Sequence, residues 1–426
     1  MRTKDRIQFS CSSEELNRGF RWAKEQALFY AHEEDLVGCW YEAALPKRQS
    51  FCVRDVAHHS MGAHALGLEK HTKNMLLKFA QNIAASRKFC TFWEIDKDDR
   101  PCPVDYSNDN DFWYNLPANF DLMDTCYRMY QVTGDRDYLE HLDFLHFYDW
   151  TIHNYVEEWD DNKDGILERK QGFGRLGIPS YCEDSSYDGA ETLIDMLAIE
   201  IRGYLSASEL YEQGGSTAMQ QLCKERSSKL LKVFDDSWWD PVKEQYYQYR
   251  DSKGELKHSS SIGHALSLCY YDVVRQEDRR QRHMERLDRE ADAGRVNVES
   301  LSHYPMLFYR CHRPDIAYKW LKVLIDPKLH RREYPEVSYS VIESYIFGLA
   351  GIKVHASQKE LFIAPEMPKD VQWFKISNLP YLDGEVDFIC QNSSVAATNR
   401  TKQMIKVNGK RMDSGCCLEI PLEERK

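Results

Sequence analysis

The sequence predicts an all-α chain: an (α/α)6 toroid of about twelve helices, followed by a small C-terminal β appendage. Three observations predict it. Apolar residues recur at spacings of three and four from about residue 12 to about residue 352. No period repeats along that stretch, which argues against a stacked solenoid and for a closed double ring of six helical hairpins. After residue 352 the pattern turns to short alternating runs.

The first helix lies in SSEELNRGFRWAKEQALFYAH, where Leu16, Phe20, Ala23, Ala27 and Tyr30 share one face. Ser12 and Glu15 form a capping box at its start. Further helices are expected near 54–68, 70–87, 116–133, 136–159, 189–213, 216–235, 261–275, 278–293, 298–312, 314–325 and 338–351. Gly134, Gly214 and Gly215 end helices, and Pro314 opens one. The loops are unequal: 88–115 and 160–188 are long and rich in Asp, Asn, Tyr and Trp, whereas 68–70 is minimal. Long loops on a rigid scaffold commonly carry chemistry. A hairpin near 244–259 interrupts the helices. Asn408-Gly409, between two apolar runs, signals another hairpin in the tail. The expected division is a ring over residues 1–353 and a β appendage over 354–426.

Composition narrows the function. A net charge of −12 without a dense basic run excludes nucleic acid as a partner. No run reaches the ~18 apolar residues of a membrane span. The 13 cysteines are odd in number and lack a C-x-x-C pair, which suits a reducing compartment. With no apolar leader visible at the N-terminus, the expected location is cytoplasmic. No metal or cofactor is expected. His58, His59 and His64 lack the third ligand of a zinc site. Asp160-Asp161-Asn162-Lys163-Asp164-Gly165 begins like a calcium loop, but its twelfth position is Gln171, so an Asx-rich turn is expected.

Four segments carry candidate chemistry. In FCVRDVAHHSMGAHALGL, Arg54 and Asp55 open a helix and suit paired sugar hydroxyls, one donating and the other accepting. In 91–121, Asp105, Asp109 and Asp111 stand among Trp93, Tyr106, Phe112, Trp113 and Tyr114, a mixture suited to a carbohydrate cleft. Asp111 and Trp113 are its chosen members. In SYCEDSSYDG, Glu183 and Asp184 are adjacent carboxylates before a long helix. Tyr181, Cys182 and the neighbouring charge are the kind of setting that raises an acid's pKa. In LHRREYPEVSYSVIESYIFGLAGI, Glu333 and Glu336 precede the last ring helix. Glu299 and His303, four apart, form a lesser candidate pair.

These segments, in this order, resemble the six-hairpin glycosidases, a superfamily that includes glucoamylases, glycogen-debranching α-glucosidases, trehalases and α-L-rhamnosidases. The Arg-Asp of FCVRDVAHHSMGAHALG looks like the substrate-binding pair of debranching-type and rhamnosidase-type members. SYCEDSSY resembles the acid-bearing loop. The resemblance implies Glu183 as proton donor, with Asp184 binding sugar or tuning the acid. REYPEVSYSVIESYIFGLAGI is similar to the segment that bears the general base, implying Glu336 first and Glu333 second. RDVAHHS departs from rhamnosidases, because it lacks the Glu that follows their Arg-Asp. The implied activity is exo-acting, inverting hydrolysis of an oligosaccharide or glycoside, with the two carboxyls ~6.5–9.5 Å apart. Two alternatives remain at this point. One is a sugar epimerase, isomerase or polysaccharide lyase using His58, His59, His264 or His303. The other is a catalytically inactive carbohydrate-binding relative. The sequence leaves the sugar, the linkage and the oligomeric state open.

Overall fold

A computed structural model describes residues 7–169, 176–181, 189–259, 266–391 and 394–422. Its helices are α1 (Glu14–Phe29), α2 (Val53–Ala65), α3 (Glu69–Gln81), α4 (Pro117–Thr133), α5 (Asp137–Glu140), α6 (Leu142–Trp150), α7 (Val156–Trp159) and α8 (Ile194–Gln213). They continue with α9 (Thr217–Ser237), α10 (Ser267–Tyr270), α11 (Glu277–Asp292), α12 (Val298–Leu301), α13 (Tyr304–Arg310), α14 (Pro314–Ile325) and α15 (Pro335–Glu343). Each expected helical segment contains at least one of them. The segment 136–159 is broken by a bend at His141 and by a π turn over Thr151–Tyr155. The last segment starts three residues early, with Pro335 in its first turn, and continues as a π turn over Ser344–Leu349.

The cap of α1 differs from expectation by one residue. Ser13 accepts the Leu16 N–H, while the Ser12 hydroxyl accepts the Gln372 N–H at 2.8 Å. The apolar face is as read: Leu16, Phe20, Ala23 and Ala27 are buried.

Helices α2, α4, α8, α10, α13 and α15 touch in a closed circuit, with α15 returning to α2. Outside them, α1 lies on α15, α3 on α2, α9 on α8 and α14 on α13. The α2–α15 approach is close because residue 62 is glycine: a Cβ there would collide with the Tyr339 carbonyl. The first helix and the last meet beside this seam. The Tyr339 hydroxyl donates to the Ala27 carbonyl and the Tyr345 hydroxyl to the Leu16 carbonyl, both at 2.9 Å.

The chain is not plainly all-α, since about 22% of it is strand. Part of this is the tail. Its five-stranded antiparallel sheet runs Gln8–Cys11, Trp373–Tyr381, Gly384–Gln391, Ser394–Asn399, Cys417–Pro421. Its four-stranded sheet runs Ile352–His355, Glu360–Ile363, Ile405–Val407, Lys410–Met412. Asn408 and Gly409, both at positive φ, make the expected two-residue turn. The strand Gln8–Cys11 ties the start of the chain to the tail sheet. Phe9 there packs 4.9 Å from the Tyr345 ring and 6.1 Å from Phe374, centroid to centroid. The other strands are short pairs that interrupt the helices, notably Ser50–Cys52 with Glu94–Asp96. The main hydrophobic core of the described residues runs from the helices into both tail sheets.

Candidate active site

A cavity of about 710 Å³ opens where the loops before the inner helices converge. Its first wall comes from the strand pair Ser50–Cys52 and Glu94–Asp96, in register as Cys52 opposite Glu94. That pairing ends at Cys52, where α2 begins. Arg54 and Asp55 therefore stand in the first turn of α2, and His58 and His59 one turn later on the same side. All four line the cavity. Arg54 Nε lies 3.1 Å from Asp55 Oδ1, and its guanidinium sits 5.4 Å from the Trp93 ring centroid. Burial raises the Asp55 pKa against the lowering pull of Arg54.

Glu336 enters from the opposite end of the sequence, one residue inside the start of α15. It is buried, and its Oε2 has no hydrogen-bond partner among the described residues. Burial chiefly, then the Asp55 and Glu299 charges, push its pKa up to about 8. Glu94 is likewise raised to about 8 by burial and by the neighbouring Asp105 carboxyl. Arg48 bridges that pair, 3.2 Å from Glu94 and 3.9 Å from Asp105.

Tyr181 forms a third wall and is anchored twice. Its N–H donates to Asp195 at 2.8 Å, and its hydroxyl donates to Asp121. Asp121 also accepts the Tyr271 hydroxyl at 2.7 Å. Burial pushes Asp121 and Asp195 each up to about 7. His58 and His303 meet edge to face at 4.5 Å in the cavity. Burial drives His303 down to about 3 and His58 well below its usual value, so both are uncharged imidazoles and poor proton acceptors at neutral pH. His264, also named for an epimerase, lies outside the described residues.

Of the residues singled out in the sequence, Arg54, Asp55, Trp113 and Glu336 line this one cavity. Glu183 and Asp184 lie outside the described residues. Asp111 is exposed and is not among the lining residues; Asp105 of the same loop takes that place, because the short pair Tyr106–Asn108 and Asp111–Phe112 turns Asp111 outward. Glu333 is also exposed. It precedes the Pro335 turn, and its backbone carbonyl receives the Tyr30 hydroxyl. The lesser pair Glu299 and His303 does line the cavity. Sequence reasoning missed Arg48, Glu94 and Arg295. No sequence signal marked the first two: Glu94 opens a three-residue strand and Arg48 stands two residues before its partner strand.

The loop at Asp160 is an Asx turn. Its carboxylate accepts the N–H groups of Asp164 and Gly165 at 3.1 and 3.0 Å, and Arg250 pairs with both Asp164 and Glu168. Among the described residues no group of three or more His, Cys, Asp or Glu is placed to hold a metal, and no helix is long and apolar enough to cross a membrane.

No family model matches the sequence, and no curated protein is similar to it in sequence. Solved structures are similar in fold. An α-L-rhamnosidase from Dictyoglumus thermophilum superposes with a TM-score of 0.65 at 12% identity, over 94% of this chain and 45% of that one. A GH78 family rhamnosidase of Bacillus sp. GL1 gives 0.61 at 12%, over 92% and 40%. A sialidase gives 0.63 at 11%, over 97% and 41%. The chain thus spans less than half the length of each. At such identities the likeness establishes the architecture alone: this chain has a fold shared with glycosidase-type structures.

Proposed function

We propose that the helical circuit is an (α/α)6 toroid over residues up to 353, with 354–426 as its appendage, and that the cavity hydrolyses glycosidic bonds. The observation that carries this reading is Glu336. A buried carboxyl with an unused oxygen faces the same space as an Arg-Asp pair and two tryptophans, Trp93 and Trp113. Carboxyls that exchange protons, polar groups that grip hydroxyls and flat apolar walls are the requirements of a sugar site. The similarity in fold to rhamnosidases supports it.

In this mechanism Glu183 protonates the leaving glycosidic oxygen. Glu336 takes a proton from water as its oxygen attacks the anomeric carbon from the opposite face, inverting the configuration. Arg54 and Asp55 fix the terminal sugar, Trp113 walls it, and Asp184 supports the acid. Exo action is the mode that the resemblance to six-hairpin glycosidases implies. The second charged wall, Arg48 with Glu94 and Asp105, holds further hydroxyls.

The test is a panel of aryl α- and β-glycosides and short oligosaccharides, with product anomers followed by NMR. Release of one terminal sugar with inverted configuration is expected, abolished by Glu336→Gln. Because burial and the neighbouring carboxylates push the Glu336 pKa up to about 8, kcat/KM should rise with pH toward that value. Retention of configuration, or turnover by Glu336→Gln at the wild-type rate, would overturn the assignment.

A further inference from the structure

Hydrogen-bonding capacity in the cavity is spent unevenly. Among the described residues, every guanidinium that lines it already faces a carboxylate. Arg48 is 3.2 Å from Glu94, Arg54 is 3.1 Å from Asp55, and Arg295 pairs with Glu290. The carboxylates are not matched in return. Glu336 is 9% exposed and makes no ion pair among the described residues, and its Oε2 lacks a hydrogen-bond partner there. Glu299 gives one oxygen to Arg331 at 3.0 Å and leaves its other, buried oxygen equally unpartnered. The charges of Asp55 and Glu299 both bear on Glu336. What remains on this side, where α2, α12 and α15 meet, is unpartnered carboxyl oxygen, with Arg54 as the one cation acting on Glu336 among the described residues. Buried acceptors without donors are costly, and a ligand that supplies the donors recovers that cost.

We infer that this subsite takes a sugar bearing a protonated amine, seated between Glu336 and Glu299 beside Asp55. The inference rests on the reading of the cavity as a sugar site. An ammonium offers three donors and no acceptor, which complements what the wall leaves unused. Its hydrogen bonds to carboxylates are charge-assisted, so they exceed those of a neutral hydroxyl. A uronate or phosphate brings like charge to the same wall and is rejected. The groups facing Glu336 from its neighbours are Arg54, Asp55 and the uncharged His59 on α2, and Glu299 on α12 with the uncharged His303 just beyond it. None of them supplies a second cation. A substrate ammonium would do so and would favour ionised Glu336, the form a general base needs. The substrate's own charge thereby readies the base.

The experiment is titration calorimetry of the full chain at pH 7 with matched sugars. These are glucose, glucosamine, N-acetylglucosamine and glucuronate, with their galacto and manno counterparts. In at least one series the amino sugar should bind at least tenfold tighter than the neutral sugar. The N-acetyl form, which keeps the nitrogen and loses the charge, should forfeit that gain, and the uronate should bind weakest. Glu299→Gln should bring the amine-to-hydroxyl ratio close to one; should that variant fail to fold, Glu336→Gln reads the same ratio. Neutral sugars bound without preference for the amine, or a uronate bound as tightly as the amino sugar, overturn this inference and leave the glycosidase reading standing. Failure of every series to bind removes both.

Discussion

A carboxyl whose pKa is pushed up by burial inside a folded protein signals an energetic conflict, and Glu336 carries one at the cavity. Its ionised form is disfavoured by burial and by Asp55 and Glu299. Replacing it with glutamine should lower kcat by about 10²–10⁴-fold, read in steady-state assays on a cleavable glycoside. The same substitution should change stability with a definite sign. A folded pKa raised above its unfolded value contributes stability at low pH that is lost as pH climbs toward about 8. Glu336→Gln should therefore melt higher than the parent at pH 9 and no higher at pH 4, by calorimetry. At this scale the sequence was legible in kind and not in place. Asp105 and Asp111 are the same residue type in the same loop, and only the turn between them decides which faces the cavity. Glu333 and Glu336 differ by three positions, and the helix that starts at Pro335 buries one and exposes the other. Arg48 and Glu94 carry no motif of their own.

Elements meet the site through two tight seams. At the first, Gly62 lets α2 lie against the backbone of α15, so Arg54, Asp55 and Glu336 share a cavity. Gly62→Ala should cost ~3 kcal/mol in urea unfolding and reduce activity, because relieving the clash separates these helices. At the second, Asp124 on α4 accepts Arg128, Arg202 and Ser206 at 2.7–2.9 Å, and Arg128 in turn donates to the Ala57 carbonyl of α2 at 2.9 Å. The paired guanidinium groups hold the Asp124 pKa below its ordinary value despite burial. Asp124→Ala leaves two cations unpaired inside the ring and should cost ~4 kcal/mol by the same measurement. Helices of this length announce themselves through several turns of apolar spacing, which is why the expected segments coincide with observed ones. The strands Ser50–Cys52 and Glu94–Asp96 span three residues each, too few for alternation to register, and their partner lies over forty positions away.

Over the whole molecule two sets of buried groups set the response to pH. Glu94 and Glu336, raised to about 8, and Asp121 and Asp195, raised to about 7, weaken the fold as pH rises toward those values. His59 and His303, lowered to about 3, and His64, lowered to about 4, weaken it as pH falls from the ordinary histidine value toward those values. Between roughly pH 4 and 6.5 the two slopes oppose one another; above that window only the carboxyl slope remains. The melting temperature should be flat in mild acid and fall steadily between pH 6.5 and 8. Removing residues 354–426 should leave an insoluble chain, since Phe9, Ile376 and Phe388 share one core with the ring. The helical content was readable from apolar spacing. The tail strands were readable too, but strand Gln8–Cys11 was not, because it finds its partner some 365 positions later.

That late partner has a consequence for how the protein is made. During synthesis α1 leaves the ribosome more than three hundred residues ahead of Tyr339 and Tyr345, whose hydroxyls cap its carbonyls. The apolar stripe of the first helix must therefore remain uncovered until translation is almost finished, a period in which chaperones have their opportunity.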